Sequence, residues 1–351
     1  MPELIEIDAS QGEGGGQVLR TALALSALLE KPVHIFNVRA GRPAPGLKAQ
    51  HLAAVNAIAA LSKAEIKGNF PRSTDIFFSP KKIVPEKFNV NIGTAGAISL
   101  FLQQLLPLGL KNSLDFHVSG GTDVAFAPSI CFLQNALFPK LKKAGARFEA
   151  KVLAQGFFPK GCGRVFFRSS PSKLPLKPLV FSKAENFSHF ECFSSSSGLP
   201  QEVSARQARS AKKTLLEKFP DADWVERLSS KQEIKETTGS AIDLFAVFEN
   251  TSLGANALGE KGRQSELVGE EAAKKLVEEL SSGNAVDSHC ADQLLVFMAL
   301  AKGASEIRVP RLSQHCLTNI SIIEKFLPCK FEIDGALNLP AAIRVEGVSF
   351  R

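Results

Sequence analysis

The sequence predicts an α/β protein built from repeated βαβαββ units, with a smaller α/β module inserted between them. Three observations support this fold class. Short strand-like runs alternate with stretches of helical apolar spacing over residues 5–79. The same order of strands and helices returns over residues 88–168. A stretch rich in proline and serine, residues 169–198, then breaks the pattern and marks a crossing into the module.

The composition is that of a soluble, intracellular globular protein. Hydrophobic residues make up 44% of the 351 residues and charged residues 22%, which suits a chain that buries one or two large cores. The first residues are not typical of a signal peptide, and no apolar run reaches the roughly 18 residues that a membrane helix needs. We therefore expect a cytoplasmic protein with no membrane partner.

Charge and cysteine content narrow the class only a little further. The net charge of +7 suits a polyanionic partner. The indication is weak, because no long block of lysine and arginine accompanies it. The most basic short run, residues 140–143, is interpreted as the solvated end of a helix. Six cysteines without a Cys-x-x-Cys pair indicate reduced thiols and offer no zinc-binding spacing.

The first unit begins with a glycine-rich turn, GEGGGQ, between a strand and a helix. Bare amides at a helix start bind anions, although this turn matches neither the Walker A nor the dinucleotide-binding pattern. Glu13, Gln17 and Arg20 are spaced to line one side of the helix start, where a carboxylate suits a metal and an arginine a phosphate. A surface Glu–Arg pair is the alternative. The elements of this unit are predicted at 5–8, 16–29, 33–38, 47–61, 64–67 and 75–79.

A second group of polar residues is predicted at the same end of the first sheet. Arg39 follows the second strand, with Arg42 three residues later. Gln50 and His51 lie early in the next helix, within an otherwise apolar pattern. A lone histidine there is usually structural, but the neighbouring arginines make an anion site comparably favoured.

The second unit and the inserted module follow. Small residues over 91–96 again occupy a strand-to-helix turn. We predict two domains, one made of residues 1–181 and 284–351 and a smaller α/β domain inserted at 182–283. Strands are predicted at 88–92, 114–119, 148–152, 164–168 and 241–248, and helices at 94–106, 128–144, 203–219 and 267–280.

A third, interrupted unit completes the chain and contains the most informative histidine. A helix is predicted over 286–301, a strand over 305–309, and a further helix that Ser313 caps. His315 would lie in the first turn of that helix, where backbone amides attract an anion and disfavour an imidazolium. A neutral imidazole there suits a nucleophile towards a phosphate, and a structural cap-region histidine is the alternative. Two closing strands are predicted at 330–334 and 342–345.

Five motifs, taken in this order, resemble those of the RNA 3′-terminal phosphate cyclase family. They are GEGGGQVLR (12–20), RAGRPAPGLKAQHL (39–52), GGTDVAFAP (120–128), ADQLL (291–295) and SQHCLTN (313–319). The resemblance runs nearly end to end. It implies three βαβαββ units like the C-terminal domain of translation initiation factor 3, plus a smaller inserted α/β domain.

The resemblance also implies a mechanism and a set of site residues. In the family, ATP adenylylates a histidine, AMP passes to the RNA 3′-phosphate, and the 2′-hydroxyl then closes a 2′,3′-cyclic phosphate. His315 would be the nucleophile, and Glu13 would hold a divalent metal, Mg or Mn. The implied partners are ATP and RNA with a 3′-phosphate end, and a homodimer is left open. The implied nucleotide- and phosphate-binding residues are Gln17, Arg20, Arg39, Gln50, His51, Pro128, His289, Asp292 and Gln293.

Two positions depart from the family pattern. His289 stands where the family usually has an aromatic residue that stacks on adenine, so ATP and GTP are not distinguished by sequence. The motif Arg/His-Gly-x-x-Pro-x-Gly-Gly-Gly is represented here by QGFFPKGCG (155–163), without its leading basic residue and its middle glycine. Neither change removes the nucleophile.

Two other classes of protein are compatible with parts of the pattern. One is a non-catalytic cyclase-like protein of ribosomal RNA processing, which would lack the nucleophilic histidine. The presence of His315 together with Arg20 and Arg39 argues against it. The other is an enolpyruvyl transferase, which has the repeated fold but needs no histidine that accepts a nucleotidyl group.

Overall fold

The computed structural model describes residues 3–12, 14–84, 87–231 and 237–351. Within these residues it has the mixed α/β class that the sequence predicts, with four sheets of four strands each. No helix in the described ranges is both long and apolar enough to cross a membrane.

The first sheet places a parallel pair beside an antiparallel pair. Its strand order is β1-β2-β4-β3, and only β1 and β2 run parallel. The sheet and its helices are formed by β1 (Ile5–Asp8), α1 (Gly16–Leu29), β2 (Val33–Phe36), α2 (Ala49–Leu61), β3 (Glu65–Lys67) and β4 (Ile76–Ser79).

The second sheet has the equivalent order, β5-β6-β8-β7, again with its first two strands parallel. The predicted helix 128–144 is divided by a π-helical turn at Leu133–Leu137. The other elements are β5 (Lys87–Asn91), α3 (Ile98–Leu105), a 3₁₀ turn (Leu108–Leu110), β6 (Asp115–Gly120), α4 (Ile130–Phe132), α5 (Phe138–Ala144), β7 (Arg147–Ala154) and β8 (Gly163–Ser170).

The chain next contributes one short strand, β9 (Val180–Phe181), and then enters a sheet with its own apolar core. This sheet has the order β11-β10-β12-β13 and is covered by two helices that pack on each other. Its elements are β10 (Phe187–Ser197), α6 (Glu202–Leu216), β11 (Asp223–Lys231), β12 (Gly239–Phe248), β13 (Ser252–Leu258) and α7 (Ser265–Ser281).

The last sheet returns to β9 and has the order β9-β14-β16-β15, which repeats the pattern of the first two. Only β9 and β14 are parallel. Its elements are α8 (Ala291–Leu300), β14 (Lys302–Val309), α9 (Gln314–Phe326), β15 (Phe331–Gly335) and β16 (Ala341–Val348).

Helix α1 joins the first and last sheets. Eleven of its 14 residues are buried, because it packs against α2, α3 and α9 at once. A helix that is buried on almost every side is apolar around most of its circumference. The glycine-rich turn at its start is thereby held beside the start of α9.

Several predicted elements differ from the structure. The predicted crossing over 169–198 is wrong in its last part, because Ser194–Ser197 belong to β10. Three of these hydroxyls are buried but paired, since Ser194 donates to Gln207, Ser196 to Ser230 and Ser197 to the carbonyl of Thr237. Pairing removes the cost that normally keeps serine out of a buried strand.

Two further predictions fail for local reasons. The helix predicted from 286 begins at Ala291, because the Asp287 carboxylate accepts the N–H groups of His289 and Cys290 and holds a turn there. The basic run 140–143 is not wholly solvated. Lys140 is buried, and its Nζ donates to the Ser252 carbonyl at 2.6 Å, across to β13.

Candidate active site

His315 lies on the exposed first turn of α9, as the sequence predicts. The Ser313 hydroxyl caps this helix by accepting the Cys316 N–H at 3.1 Å. Burial raises the pKa of Asp292, while the nearby His315 and Arg20 act in the opposite direction. His315 therefore lies at a helix N-terminus, within electrostatic range of a carboxyl on α8 that the charge of Arg20 on α1 also reaches.

Asn319 links the three helices that meet at His315. Its side-chain carbonyl accepts from Gln17 Nε2 at 2.9 Å and from Thr21 Oγ1 at 2.6 Å. Its amide donates to the backbone carbonyl of Asp292 at 2.9 Å. Because Asn319 is 2% exposed, these bonds are protected from water and hold the starts of α1, α8 and α9 together.

The glycine-rich turn packs directly on α9. Gly12 has φ of +66°, and a side chain there would collide with the Thr318 hydroxyl. Gln17 follows on α1, where its side-chain carbonyl accepts from Arg20 Nη2 at 2.5 Å. Glu13, the predicted metal ligand, lies outside the described residues.

His51 is buried beside the start of α1. Its Nδ1 accepts the Lys48 N–H at 3.2 Å, so in the neutral ring the proton is on Nε2. A side chain at Gly16 would lie 2.6 Å from that Nε2 and 3.0 Å from Arg20 Nη1. Burial, and then the charges of Arg20, Arg39 and Lys48, lower the pKa of His51 to about 3. The ring is therefore a neutral donor surrounded by cations.

Arg39 is an uncommon residue in two respects. It is 6% exposed, and its Nε has no hydrogen-bond partner among the described residues. Its φ of 57° lies in the left-handed region, which a non-glycine residue occupies at some cost. Burial lowers the pKa of Arg39, followed by the charge of Arg42. A buried guanidinium with an unmet donor is what a bound anion would satisfy.

A small cleft opens between α1, α3, α8 and α9. The predicted residues Gln17, Arg20, Asp292 and Gln293 line it, together with Asn319. Gln293 donates to the His289 carbonyl at 2.7 Å, and its own Oε1 is buried without a partner in the described chain. These groups could orient the sugar or base of a nucleotide.

Gln103 and Gln104 line the same cleft, although neither belongs to the predicted site residues. Gln104 is 2% exposed, and neither atom of its amide is paired within the described residues. A glutamine pair inside a predicted apolar helix was the signal for them. It became interpretable only when α3 was placed against α1 and α8.

Pro128 and His289 are the two residues predicted to border the base. Pro128 immediately precedes Ser129, which caps α4 by accepting the Phe132 N–H at 2.9 Å. The His289 ring is exposed and meets Phe132 edge-on, with ring centroids 6.2 Å apart. Neither Pro128 nor His289 lines the cleft itself. Gln50 packs against Gly96, since a side chain at Gly96 would lie 2.8 Å from the Gln50 Cβ.

No cluster of three or more histidine, cysteine or acidic side chains in the described ranges could hold a metal ion by itself. A Mg²⁺ ion in a nucleotide site does not need such a cluster, because one or two carboxylates and the substrate phosphates suffice. Asp292 is the described carboxyl beside His315 and Arg20.

Fold and site together define an α/β protein in which a helix N-terminus with an exposed histidine lies near buried cationic side chains and a polar cleft. Residues 11–333 match the family model described as RNA 3′-terminal phosphate cyclase. The chain belongs to this family.

Curated relatives match over almost their whole length. The chain is 40% identical to the RNA 3′-terminal phosphate cyclase of Ignicoccus hospitalis, over 99% of this chain and 100% of that protein. It is 41% identical to the protein of the same description from Thermococcus gammatolerans, over 98% of both chains. A third, from Methanopyrus kandleri, is also 41% identical, over 97% of this chain and 98% of the relative.

Proposed function

We propose that this protein uses ATP to convert an RNA 3′-terminal phosphate into a 2′,3′-cyclic phosphodiester. The observation that carries the proposal is the placement of His315 on an exposed helix N-terminus beside Arg20 and Asp292. The names of the family and of the curated relatives support RNA ends as the substrate.

The proposed reaction has three displacements. A nitrogen of His315 bonds to the α-phosphorus of ATP, the bond between the α- and β-phosphates breaks, and pyrophosphate leaves. An oxygen of the RNA 3′-phosphate then attacks the same phosphorus and breaks the P–N bond, which gives RNA-pp-A. The 2′-hydroxyl attacks the 3′-phosphorus, loses its proton to solvent, and expels AMP. Splitting one difficult displacement into easier ones is the benefit of a covalent intermediate.

The surrounding side chains position and neutralise phosphates in this proposal. Arg20 and Arg39 supply positive charge, and neutral His51 adds an N–H donor at Nε2. Such preorganised donors lower the cost of charge that develops during transfer. Gln17, Gln50, Asp292 and Gln293 orient the nucleotide and the RNA end. Pro128 and His289 border the base.

A divalent metal is proposed as the remaining component, Mg or Mn, with Glu13 as the ligand that the family resemblance implies. When bound, it would neutralise charge on the triphosphate and gather its oxygens. This arrangement is compatible with the described residues, which contain no group of three or more metal-binding side chains but do offer hydrogen-bond donors for phosphate.

We also propose the finer fold assignments. The three sheets of equal strand order are taken as units like the C-terminal domain of translation initiation factor 3. Residues 182–283, with the separate core of β10–β13, are taken as the inserted domain, and 1–181 with 284–351 as the large domain. A cytoplasmic location and a homodimer remain predictions.

Labelling with ATP carrying a radioactive α-phosphate tests the first step. The wild type with metal should acquire acid-labile, alkali-stable label, and His315→Ala should acquire none. Gln314→Ala is the matched control, because it alters the preceding residue of the same helix turn and should still label. A wild type that does not label would contradict the histidine mechanism and favour a non-catalytic cyclase-like protein.

Assays of RNA ends test the later steps. A 3′-phosphorylated oligonucleotide should be converted, whereas a 3′-hydroxyl end and a 2′-deoxy terminal residue should not. Conversion of the 2′-deoxy substrate to a cyclic end is chemically impossible, so label trapped as RNA-pp-A on it would isolate the second step.

A further inference from the structure

Two phenylalanine rings project into solvent from neighbouring turns. Phe126 is fully exposed and Phe158 is 77% exposed, the two highest values among the exposed large hydrophobic residues. Phe126 also has φ of 62°, a backbone conformation that is costly for a bulky residue. Exposed single apolar residues are common, so exposure alone decides nothing. The position of the two turns is the observation that suggests a role for these exposed rings.

The two turns are bonded to each other. Thr122 and Gly156 exchange two hydrogen bonds, since the Thr122 N–H donates to the Gly156 carbonyl and the Gly156 N–H donates to Thr122 Oγ1, both at 2.9 Å. The Phe157 N–H donates to Thr237 at 2.8 Å and fixes the second turn from its other side. Phe126 and Phe158 are therefore carried by one braced structure, which we call the aromatic shelf.

The shelf lies next to the predicted phosphate-binding residues. A side chain at Gly161 would be 2.9 Å from Ala95 Cα, so the second turn rests on the loop of residues 93–97. Gly96 of that loop packs against Gln50, and its carbonyl accepts the Gly121 N–H at 2.9 Å. His51 is the next residue after Gln50. One loop thus separates the shelf from the anion site.

The charges around the shelf suit a polyanion. The loops of residues 93–97, 120–128 and 155–163 contain one carboxyl group between them, that of Asp123, and it is buried. Burial raises the pKa of Asp123 to about 6 and keeps its carboxyl away from the exposed surface of these loops. Lys160, in contrast, is exposed at the tip of the second turn.

We propose that the aromatic shelf stacks on the bases of single-stranded RNA that lie just upstream of the 3′-phosphate. Proteins that bind single strands without sequence preference combine a basic path for the backbone with aromatic rings for the bases. The shelf would supply the aromatic rings. Arg39 and His51 would supply the phosphate contacts. This proposal rests on the proposed function, because it takes the RNA end as the substrate.

Ring-specific variants test the shelf. Phe126→Leu and Phe158→Leu keep an apolar side chain but remove the stacking face, and each should raise the KM for a 3′-phosphorylated oligonucleotide by roughly tenfold. Phe126→Trp and Phe158→Trp should keep the wild-type KM. Leu267→Ala, an exposed apolar truncation on α7, is the remote control and should change nothing. The value of kcat at saturating RNA and self-adenylylation without RNA should stay unchanged.

A substrate series makes the test independent of protein stability. The wild type should prefer an oligonucleotide with normal upstream bases over one with abasic residues at those positions by roughly tenfold. The leucine variants should lose this preference. Unchanged discrimination in both leucine variants would overturn the shelf.

The outcome also separates the shelf from the proposed reaction. A protein whose oligonucleotide binding by fluorescence anisotropy depends on Phe126 and Phe158, but which neither labels nor converts the end, would support the shelf and contradict the reaction. The leucine variants could instead convert RNA like the wild type but differ from it in oligomeric mass in solution. That result would assign the rings to a contact between protein chains.

Discussion

At the scale of single residues, the proposed anion site depends on a histidine that stays neutral. His51 is buried among Arg20, Arg39 and Lys48, so protonation would add a fourth positive charge in a poorly hydrated place. Its Nδ1 is occupied by the Lys48 N–H, which directs Nε2–H towards the start of α1. A donor without a charge can contact a phosphate while adding no repulsion to the empty site.

This arrangement predicts a loss of stability in acid. The pKa of His51 is lowered to about 3 in the folded protein, against about 6.5 in the unfolded chain. The unfolded state therefore binds the proton more tightly, and stability decreases as the pH falls from about 6.5 towards 3. His51→Asn should lose about 2 kcal/mol less than the wild type between pH 7 and pH 5, measured by denaturant unfolding.

His34→Asn is the control for this prediction. In the wild type, the hydrogen bond to Asp75 is the main cause that raises the pKa of His34. The stabilising contribution of His34 is therefore present in acid and is lost as the pH rises. The two variants should therefore change the pH profile in opposite directions. Parallel profiles for His51→Asn and the wild type would contradict the neutral assignment.

At the scale of elements, the site is a meeting of helix starts. The N-terminal ends of α1, α8 and α9 are brought together by Asn319, and each end presents the positive end of a helix dipole. Asn319 belongs to the SQHCLTN motif, but its bonding to α1 required the packed structure. Side-chain amides suit this position because they donate and accept at the same time.

The cap of α9 can be separated from its attraction for anions. Ser313→Ala should lower the free energy of unfolding by about 1 kcal/mol, because the Cys316 N–H loses its acceptor. Ser313→Asp should keep that stability, since aspartate is an equally good cap. Its carboxylate would repel phosphates, so self-adenylylation should slow by roughly tenfold in the aspartate variant only.

Calorimetry of thermal unfolding measures the effect on stability. Labelling with α-phosphate at a temperature well below the unfolding transition measures the effect on self-adenylylation. Equal labelling rates in Ser313→Asp and the wild type would show that no phosphate approaches this helix end.

At the scale of the whole molecule, buried polar groups connect the β10–β13 sheet to the rest. Asp243 on β12 accepts from Ser129 Oγ at 2.5 Å, and Lys140 donates to the Ser252 carbonyl. Asp243 and Asp123 line a cavity of about 210 Å³ between the second sheet and the β10–β13 sheet. Burial is the main reason that the pKa values rise, to about 6 for Asp123 and about 8 for Asp243.

This carboxyl pair predicts a loss of stability in base. The folded state holds protons that the unfolded chain releases near pH 4, so the free energy of unfolding should fall as the pH rises from about 4 to about 8. Asp243→Asn keeps an acceptor for Ser129 and cannot ionise. It should therefore lose less stability than the wild type between pH 5 and pH 9, by an amount on the order of 1–3 kcal/mol.

Asp334→Asn, at an exposed position on β15, is the matched control and should follow the wild-type profile. Parallel profiles for Asp243→Asn and the wild type between pH 5 and pH 9, measured by urea unfolding, would contradict the raised pKa values.

Much of the fold could be predicted from local patterns. The bounds of β1 and α1 agree with the prediction residue for residue, because a glycine turn and a long apolar helix are strong local signals. The Ser313 cap is confirmed for the same reason. The β10–β13 sheet was predicted poorly. Strands β10, β11 and β13 contain serine, charged and small residues, whose place in a sheet depends on partners distant in sequence.

The sequence by itself determined the mixed α/β class, the turn before α1, the cap of α9 and the position of His315 at that helix start. These features depend on a few adjacent residues. Only the tertiary structure decided which side chains meet there: Asn319 with Gln17, His51 with Arg20, and Gln104 with Asp292 across the cleft. Their burial and charge interactions arise between residues far apart in the chain, and no local pattern contains the distances on which those interactions depend.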